Sequence, residues 1–128
     1  GPGRPVHLER PVAAGGRFGG HFVQGHVDGV GTVVSVRPAG ETVLLAVELP
    51  EPVRPVTILH GSLTLDGVSL TVNALPAPGQ AEVALIPYTY RRTNLSRLRP
   101  GDRVNVEGDC IGKYVQALLL AWRDVAAG

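Results

Sequence analysis

The stretch Ser62–Ala74, SLTLDGVSLTVNA, is where the reading of the fold begins. Leu63 and Leu65 precede Asp66-Gly67, and Val68, Leu70 and Val72 follow it, each separated from the next by Ser, Thr or another non-core residue. Period-two alternation puts successive side chains on opposite faces of a strand, and Asp-Gly supplies the positive φ that tight hairpin turns require. The segment therefore reads as a β-hairpin with a dry apolar face and a wet face carrying hydroxyls.

The same grammar extends outward from that hairpin. Upstream, His21–Val27 and Thr32–Val36 read as strands flanking a turn at Asp28-Gly29-Val30-Gly31, and Thr42–Leu49 reads as a third strand. Pro50, Pro52 and Pro55 then break the chain into a loop with one short helical turn. Downstream come a loop at Pro76–Gly79, a strand Ala81–Ile86 ended by Pro87, and a short helix or irregular turn in YTYRRTNLSRL. Pro100-Gly101-Asp102 turns into a last strand, Arg103–Glu107. The tail changes period: Ile111, Val115, Leu118, Leu119, Trp122 and Val125 share one face of an α-helix, with Asp109 placed to cap its first turn. The expectation is an all-β fold, a small six-stranded Greek-key barrel with a C-terminal amphipathic α-helix. Closure removes the sheet edges that a small β domain must otherwise protect. The helix either plugs one barrel end or packs against a copy of itself.

Composition bounds the function. With 44% hydrophobic and 18% charged residues the 128-residue chain is not disordered, and 17 Gly plus 11 Pro, scattered between apolar stretches, suit short strands joined by tight turns. A net charge of +1 removes the bulk-electrostatic case for nucleic acid. The run Arg91, Arg92, Arg97, Arg99 and Arg103 reads as a solvated face, because no aromatic platform is interleaved with it. A single cysteine, Cys110, excludes an internal disulfide and reads as a buried structural thiol. No apolar run reaches the roughly 18 to 20 residues of a membrane span, and no secretory leader is recognised, so the cytoplasm is the expected location. There is no methionine, and Gly1-Pro2-Gly3 resembles a remnant of tag removal. The expected division is residues 1–3 as remnant, 4–110 as barrel and 111–128 as helix, the whole a domain cut from something longer.

Candidate chemistry is sparse. Of the histidines at 7, 21, 26 and 60, His21 and His26 are five apart on the expected strand and face opposite sides, so no metal site is expected. Gly25 beside His26 lets a ligand or backbone approach closely; the plainer reading is a histidine bonded to a turn carbonyl. Ser69 and Thr71 share a strand face with Asp66 across the turn, an arrangement able to hold a polyol or a heterocyclic carbonyl, or simply an ordinary wet face. There is no G-x-S-x-G elbow around Ser69, and Gly15-Gly16 and Gly19-Gly20 have the wrong spacing for a phosphate loop. The residues alone give a barrel with two candidate polar strips and no named substrate.

Four motifs in register go further. GGHFVQGHVDGVG, GSLTLDGVSLTVN, IPYTYRRTNLSRLRPGDRVNVEGD and GKYV resemble the lumazine-binding barrel of riboflavin synthase, over nearly the whole chain after Gly3. Members of that family carry two barrels, and this sequence resembles the second. RPVHLERPV is similar to the linker leaving the first barrel, and Ser69 stands where the first barrel usually has cysteine. The tail is similar to the helix through which family members trimerise. The resemblance implies dismutation of two molecules of 6,7-dimethyl-8-ribityllumazine to riboflavin and a ribitylaminouracil, with no cofactor and no metal. It implies ligand contacts at Gly25, His26, Val27, His60, Asp66, Ser69, Leu70, Thr71, Leu85, Ile86, Pro87, Tyr88 and Thr89. Ser69, His26 and Asp109 are the candidates for catalysis, and Asp109 thereby gains a rival to its capping role. His60 stands where a lysine is usual, so a ligand contact there would be altered. A lone second barrel would supply half of an active site, completed by an N-terminal barrel or by a second copy in a dimer or trimer. The rival readings are a stand-alone non-catalytic lumazine or flavin binder, a single-barrel homo-oligomer that builds a whole site, and a barrel with no ligand.

Overall fold

The computed structural model describes residues 17–18, 21–22 and 25–127. β1 (Arg17–Phe18) and β2 (His21–Phe22) pair with each other as a separate antiparallel ribbon. The six strands β3 (Gly29–Ala39), β4 (Thr42–Glu48), β5 (Ser62–Leu65), β6 (Val68–Ala74), β7 (Gln80–Leu85) and β8 (Arg103–Gly108) close into a barrel in the order β3-β4-β7-β6-β5-β8. Every pairing is antiparallel, and the steps from β4 to β7 and from β8 back to β5 give the Greek-key path. 3-10 turns at Glu51–Val56 and Asn94–Arg97 and a short helix α1 (Pro87–Arg92) join the strands. Helix α2 (Cys110–Ala127) follows β8.

The β5–β6 hairpin forms as read, with Leu63 opposite Leu70 and Leu65 opposite Val68 around a turn whose Asp66 and Gly67 both have positive φ. These side chains fill the barrel together with Val33, Leu45, Val47, Val72, Val83, Leu85, Val104 and Val106. Full burial of a Val or Leu side chain is worth about 1.5–3 kcal/mol, so this dry interior is the main source of stability. Val53, Leu95 and Leu98, from the two 3-10 turns, join the same core.

Four expectations are corrected. Asp28-Gly29-Val30-Gly31 is not a hairpin turn: Gly29 opens β3, which runs unbroken to Ala39 and turns at Gly40. The glycines serve close approach instead, since a Cβ on Gly29 would stand 2.7 Å from the Pro50 Cβ and one on Gly31 2.7 Å from the Glu48 carbonyl oxygen. The expected strand His21–Val27 also fails at its end, because residues 25–28 are not in a strand and Gly25 has φ +80°; Val23 and Gln24 lie outside the described residues. Nor does α2 plug the barrel. The interior is filled by strand and 3-10 side chains, while Ile111, Leu118, Leu119, Trp122 and Val125 stay more than half exposed.

The hydroxyl face of the hairpin differs from a wet face as well. Ser62, Thr64 and Ser69 are all buried, and β2 lies against β6. Glu82, outward on β7, is also buried; its carboxylate accepts from the Asn73 amide at 3.2 Å and the Arg37 guanidinium at 3.3 Å.

Candidate functional site

The outward-facing residues of neighbouring strands form one polar arc. On β5 and β6, Ser62 lies opposite Thr71 and Thr64 opposite Ser69, and on the other side of β5 Thr64 lies opposite Glu107 of β8. Buried hydroxyls need partners, and the Ser62 and Ser69 Oγ atoms stand 3.3 Å apart. Thr71 is exposed at the edge of this row. On the other side of β6, Val72 pairs with Val83 of β7, which runs on to Leu85 and, through Ile86, into α1, a helix that packs against β4 and the Asn94–Arg97 turn.

The opposite end of the arc is the entry to β3. The Asp28 N–H donates to the Val106 carbonyl at 2.8 Å, and its carboxylate Oδ2 accepts from the Gly108 N–H at 2.7 Å and from Lys113 Nζ at 2.7 Å. One carboxylate thus ties β3, β8 and the first turn of α2 together and fixes where Gly25, His26 and Val27, all exposed, leave the barrel. Asp109 accepts from the Ile111 N–H at 3.1 Å through Oδ1, which makes it the cap of α2.

The model of the Lumazine binding domain family matches residues 24–109. The chain belongs to the lumazine-binding domain family. Riboflavin synthase of Mycobacterium tuberculosis (strain ATCC 25618 / H37Rv) is 44% identical over 120 residues, which cover 92% of this chain and 60% of the relative. Riboflavin synthase of Bacillus subtilis (strain 168) is 41% identical over 117 residues, covering 91% and 54%. The chain therefore spans little more than half the length of these relatives. Among solved structures, LumP complexed with 6,7-dimethyl-8-(1'-D-ribityl) lumazine superposes with a TM-score of 0.65 at 21% identity, covering 71% of this chain and 51% of that one. LumP complexed with riboflavin gives 0.65 at 21% identity, with 73% and 50% covered. The likeness to these structures is one of fold.

Within this lumazine-binding barrel, the residues marked from sequence divide by where they point. Gly25, His26, Val27 and Thr71 are exposed around the arc and Ser69 is buried in it, whereas Ile86 and Tyr88 are exposed and Thr89 buried at α1, which packs against β4 and the Asn94–Arg97 turn. Leu70 and Leu85 direct their side chains into the barrel core, so only their backbones lie along the arc. Asp66 is turned toward β8: its Oδ1 accepts from the Asn105 N–H at 2.8 Å and its own N–H donates to the Asn105 carbonyl at 2.9 Å. His60 is exposed in the left-handed region, φ +67°, and is held beside β6 by its N–H donating to the Val72 carbonyl at 2.9 Å. Tyr88 carries the Arg92 guanidinium 5.0 Å from its ring centre. Pro87 begins α1, where its missing N–H costs no helical bond.

Sequence reasoning passed over Ser62, Thr64, Glu107, Asp28 and Lys113. The signal for the first two was present in the hydroxyls at 62, 64, 69 and 71, which alternate symmetrically about the turn. Asp28 was hidden because Asp-Gly reads as a turn. A separate cleft of about 460 Å³ is lined by Leu49, Arg54, Thr57, Leu75, Gly79 and Gln80 and contains none of the marked residues. Arg54 acts there as a strut, its Nε donating to the Leu49 carbonyl at 2.9 Å and its guanidinium lying against Gly79. Among the described residues no three His, Cys, Asp or Glu side chains gather as a metal site, and no helix is long and apolar enough to cross a membrane.

Proposed function

We propose that the chain binds 6,7-dimethyl-8-ribityllumazine and riboflavin on the outside of its barrel and supplies half of a riboflavin synthase active site. There two lumazines exchange a four-carbon unit to give riboflavin and 5-amino-6-(ribitylamino)uracil. The observation that carries this reading is convergence. Three sequence-distant segments, Gly25–Asp28, Ser62–Thr71 and Glu107–Asp109, meet on one outer arc while the barrel interior is filled by side chains. The relatives named riboflavin synthase and the LumP complexes with ribityllumazine and riboflavin support the choice of ligand.

In this reading the buried Ser69 and the exposed Thr71 engage the polar edge of the pteridine, and Ile86, Pro87 and Tyr88 flank the flat ring. His26 stands on the segment toward which a second ring would come. Asp109 would divide its carboxylate between the helix cap and the site. Loss of the 7-methyl proton from one lumazine makes a nucleophile, and the other ring is the electrophile. Holding the two rings face to face is a proximity effect, and fixed hydroxyl and imidazole groups stabilise the developing charge. The chain itself contributes no cofactor to this chemistry. The second ring would be held by an N-terminal barrel or by another copy of this chain, with the bare apolar face of α2 as the contact for a dimer or trimer. The cytoplasm is the proposed location.

The test is to mix the chain with excess 6,7-dimethyl-8-ribityllumazine and follow riboflavin by absorbance and ligand fluorescence together. Steady riboflavin production is expected if identical barrels complete a site. A fluorescence change without product identifies a binding half-site or a pure binder. No response in either channel overturns the proposal.

A further inference from the structure

We propose that Ser62 is a positioning residue for the ligand: through its hydrogen bond to Ser69 it lets the Ser69 hydroxyl either donate to, or accept from, the edge of a bound pteridine. The inference rests on the lumazine-binding reading above and adds to it a residue that acts through Ser69. Ser62 and Ser69 are diagonal neighbours on the outward face of the β5–β6 hairpin, since Ser62 pairs with Thr71 and Thr64 with Ser69. Their Oγ atoms are 3.3 Å apart, and the residues are only 7% and 4% exposed.

A serine hydroxyl has one proton and two acceptor lone pairs, and it rotates to suit its neighbours. At this separation either oxygen can be the donor. When Ser62 donates to Ser69, the Ser69 proton is released toward a ring carbonyl or a deprotonated ring. When Ser69 donates to Ser62, a Ser69 lone pair is left for a ring N–H. Exchange between the two states needs two hydroxyl rotations and no movement of a heavy atom. A pteridine edge alternates carbonyl and N–H groups, and the proposed reaction removes a proton from the ring system, so one hydroxyl meets both polarities. Among the described residues Ser62 is the side chain bonded to the Ser69 hydroxyl, so without it a Ser69 that accepts from an N–H loses that acceptor for its own proton. In a buried site water does not make good that loss.

The experiment titrates the chain with 6,7-dimethyl-8-ribityllumazine by ligand fluorescence, at one pH where the free ligand is neutral and one where it is deprotonated. The proteins are wild type, Ser62→Ala, Ser69→Ala, the double variant and Ser62→Thr. Ser62→Ala is expected to weaken binding of the neutral ligand about fivefold, the worth of one hydrogen bond, and of the deprotonated ligand less. It is expected to add nothing once Ser69 is alanine, because coupled residues are not additive, and Ser62→Thr is expected to restore wild-type binding. No loss, an equal loss for both ligand forms, or additive losses in the double variant overturn the proposal. Thermal unfolding is read alongside. If Ser62→Ala does not fold, Ser62→Cys against Ser62→Thr is the comparison, because a thiol is a weak donor, and equal binding by the two overturns the proposal. A wild-type chain that gives no response overturns the lumazine reading itself, whereas a wild-type response matched by Ser62→Ala removes only the role of Ser62.

Discussion

The β5–β6 hairpin and helix α2 are both amphipathic, and the two periodicities are equally clean in the sequence. Their fates differ. The hairpin is covered inside and, around its turn, outside as well, with Leu63 and Leu65 at 0% exposure in the barrel and Ser62 and Ser69 below 9% on the outer face. The helix has its apolar face bare, with Trp122 at 72% and Leu118 at 70%. Periodicity tells which side of an element is apolar; it does not tell what will lie against either side. Both mismatches carry information. Polar groups that are covered, and apolar groups that are not, mark where the barrel meets something other than its own core.

The comparison breaks most readily at the hairpin's dry face. Leu65→Ala is expected to lower the stability of the chain by about 2–5 kcal/mol, because the closed barrel wall cannot collapse into the space left; urea unfolding monitored by circular dichroism reads this directly. A loss below 1 kcal/mol would mean the interior is looser than its burial indicates. The next effect lies at the junction of the two regions. Asp28→Ala is expected to cost about 1–3 kcal/mol, since it leaves the buried Gly108 N–H without its acceptor. Lys113→Met, which removes only a partly exposed ion pair, is expected to cost under about 1 kcal/mol. Equal losses for the two would show that the carboxylate serves the lysine rather than the strand.

Much of the fold was legible because its signals are local. Alternation about Asp66-Gly67 and the i, i+4, i+7 pattern after Asp109 each predict the element that forms there. Asp28-Gly29 carries the same dipeptide signal and misleads, because the constraint is tertiary: Pro50 and Glu48 press on glycines that have no room for a Cβ. The candidate site was legible only in pieces. Asp28, Ser69 and Glu107 are far apart in sequence, and only the strand order brings them to one arc. The burial of Ser62 and Thr64 depends on what lies across the outer face, which no residue pattern on β5 reports.

Smaller effects refine the helix side of the comparison. Asp109→Ala is expected to cost about 1 kcal/mol by removing the acceptor for the Ile111 N–H. The loss should appear as faster amide exchange in the first turn of α2 with the barrel strands unchanged. Faster exchange in β8 as well would mean that the cap also holds the barrel.

The smallest effect on stability belongs to the bare face itself. Leu118→Ser with Trp122→Ser is expected to change barrel unfolding by no more than about 0.5 kcal/mol, because neither side chain packs into the core. If the apolar face of α2 is the proposed contact between copies, the same pair is expected to lower the mass seen in sedimentation equilibrium, since removing two large apolar side chains from a contact takes away its buried area. The two readouts separate the possible locations of the helix. Destabilised barrels with unchanged mass would mean that α2 folds back on its own domain in solution. Unchanged barrels with lost assembly would mean that the apolar face belongs to a second copy, and that the pattern so plain in the tail sequence was written for a neighbour.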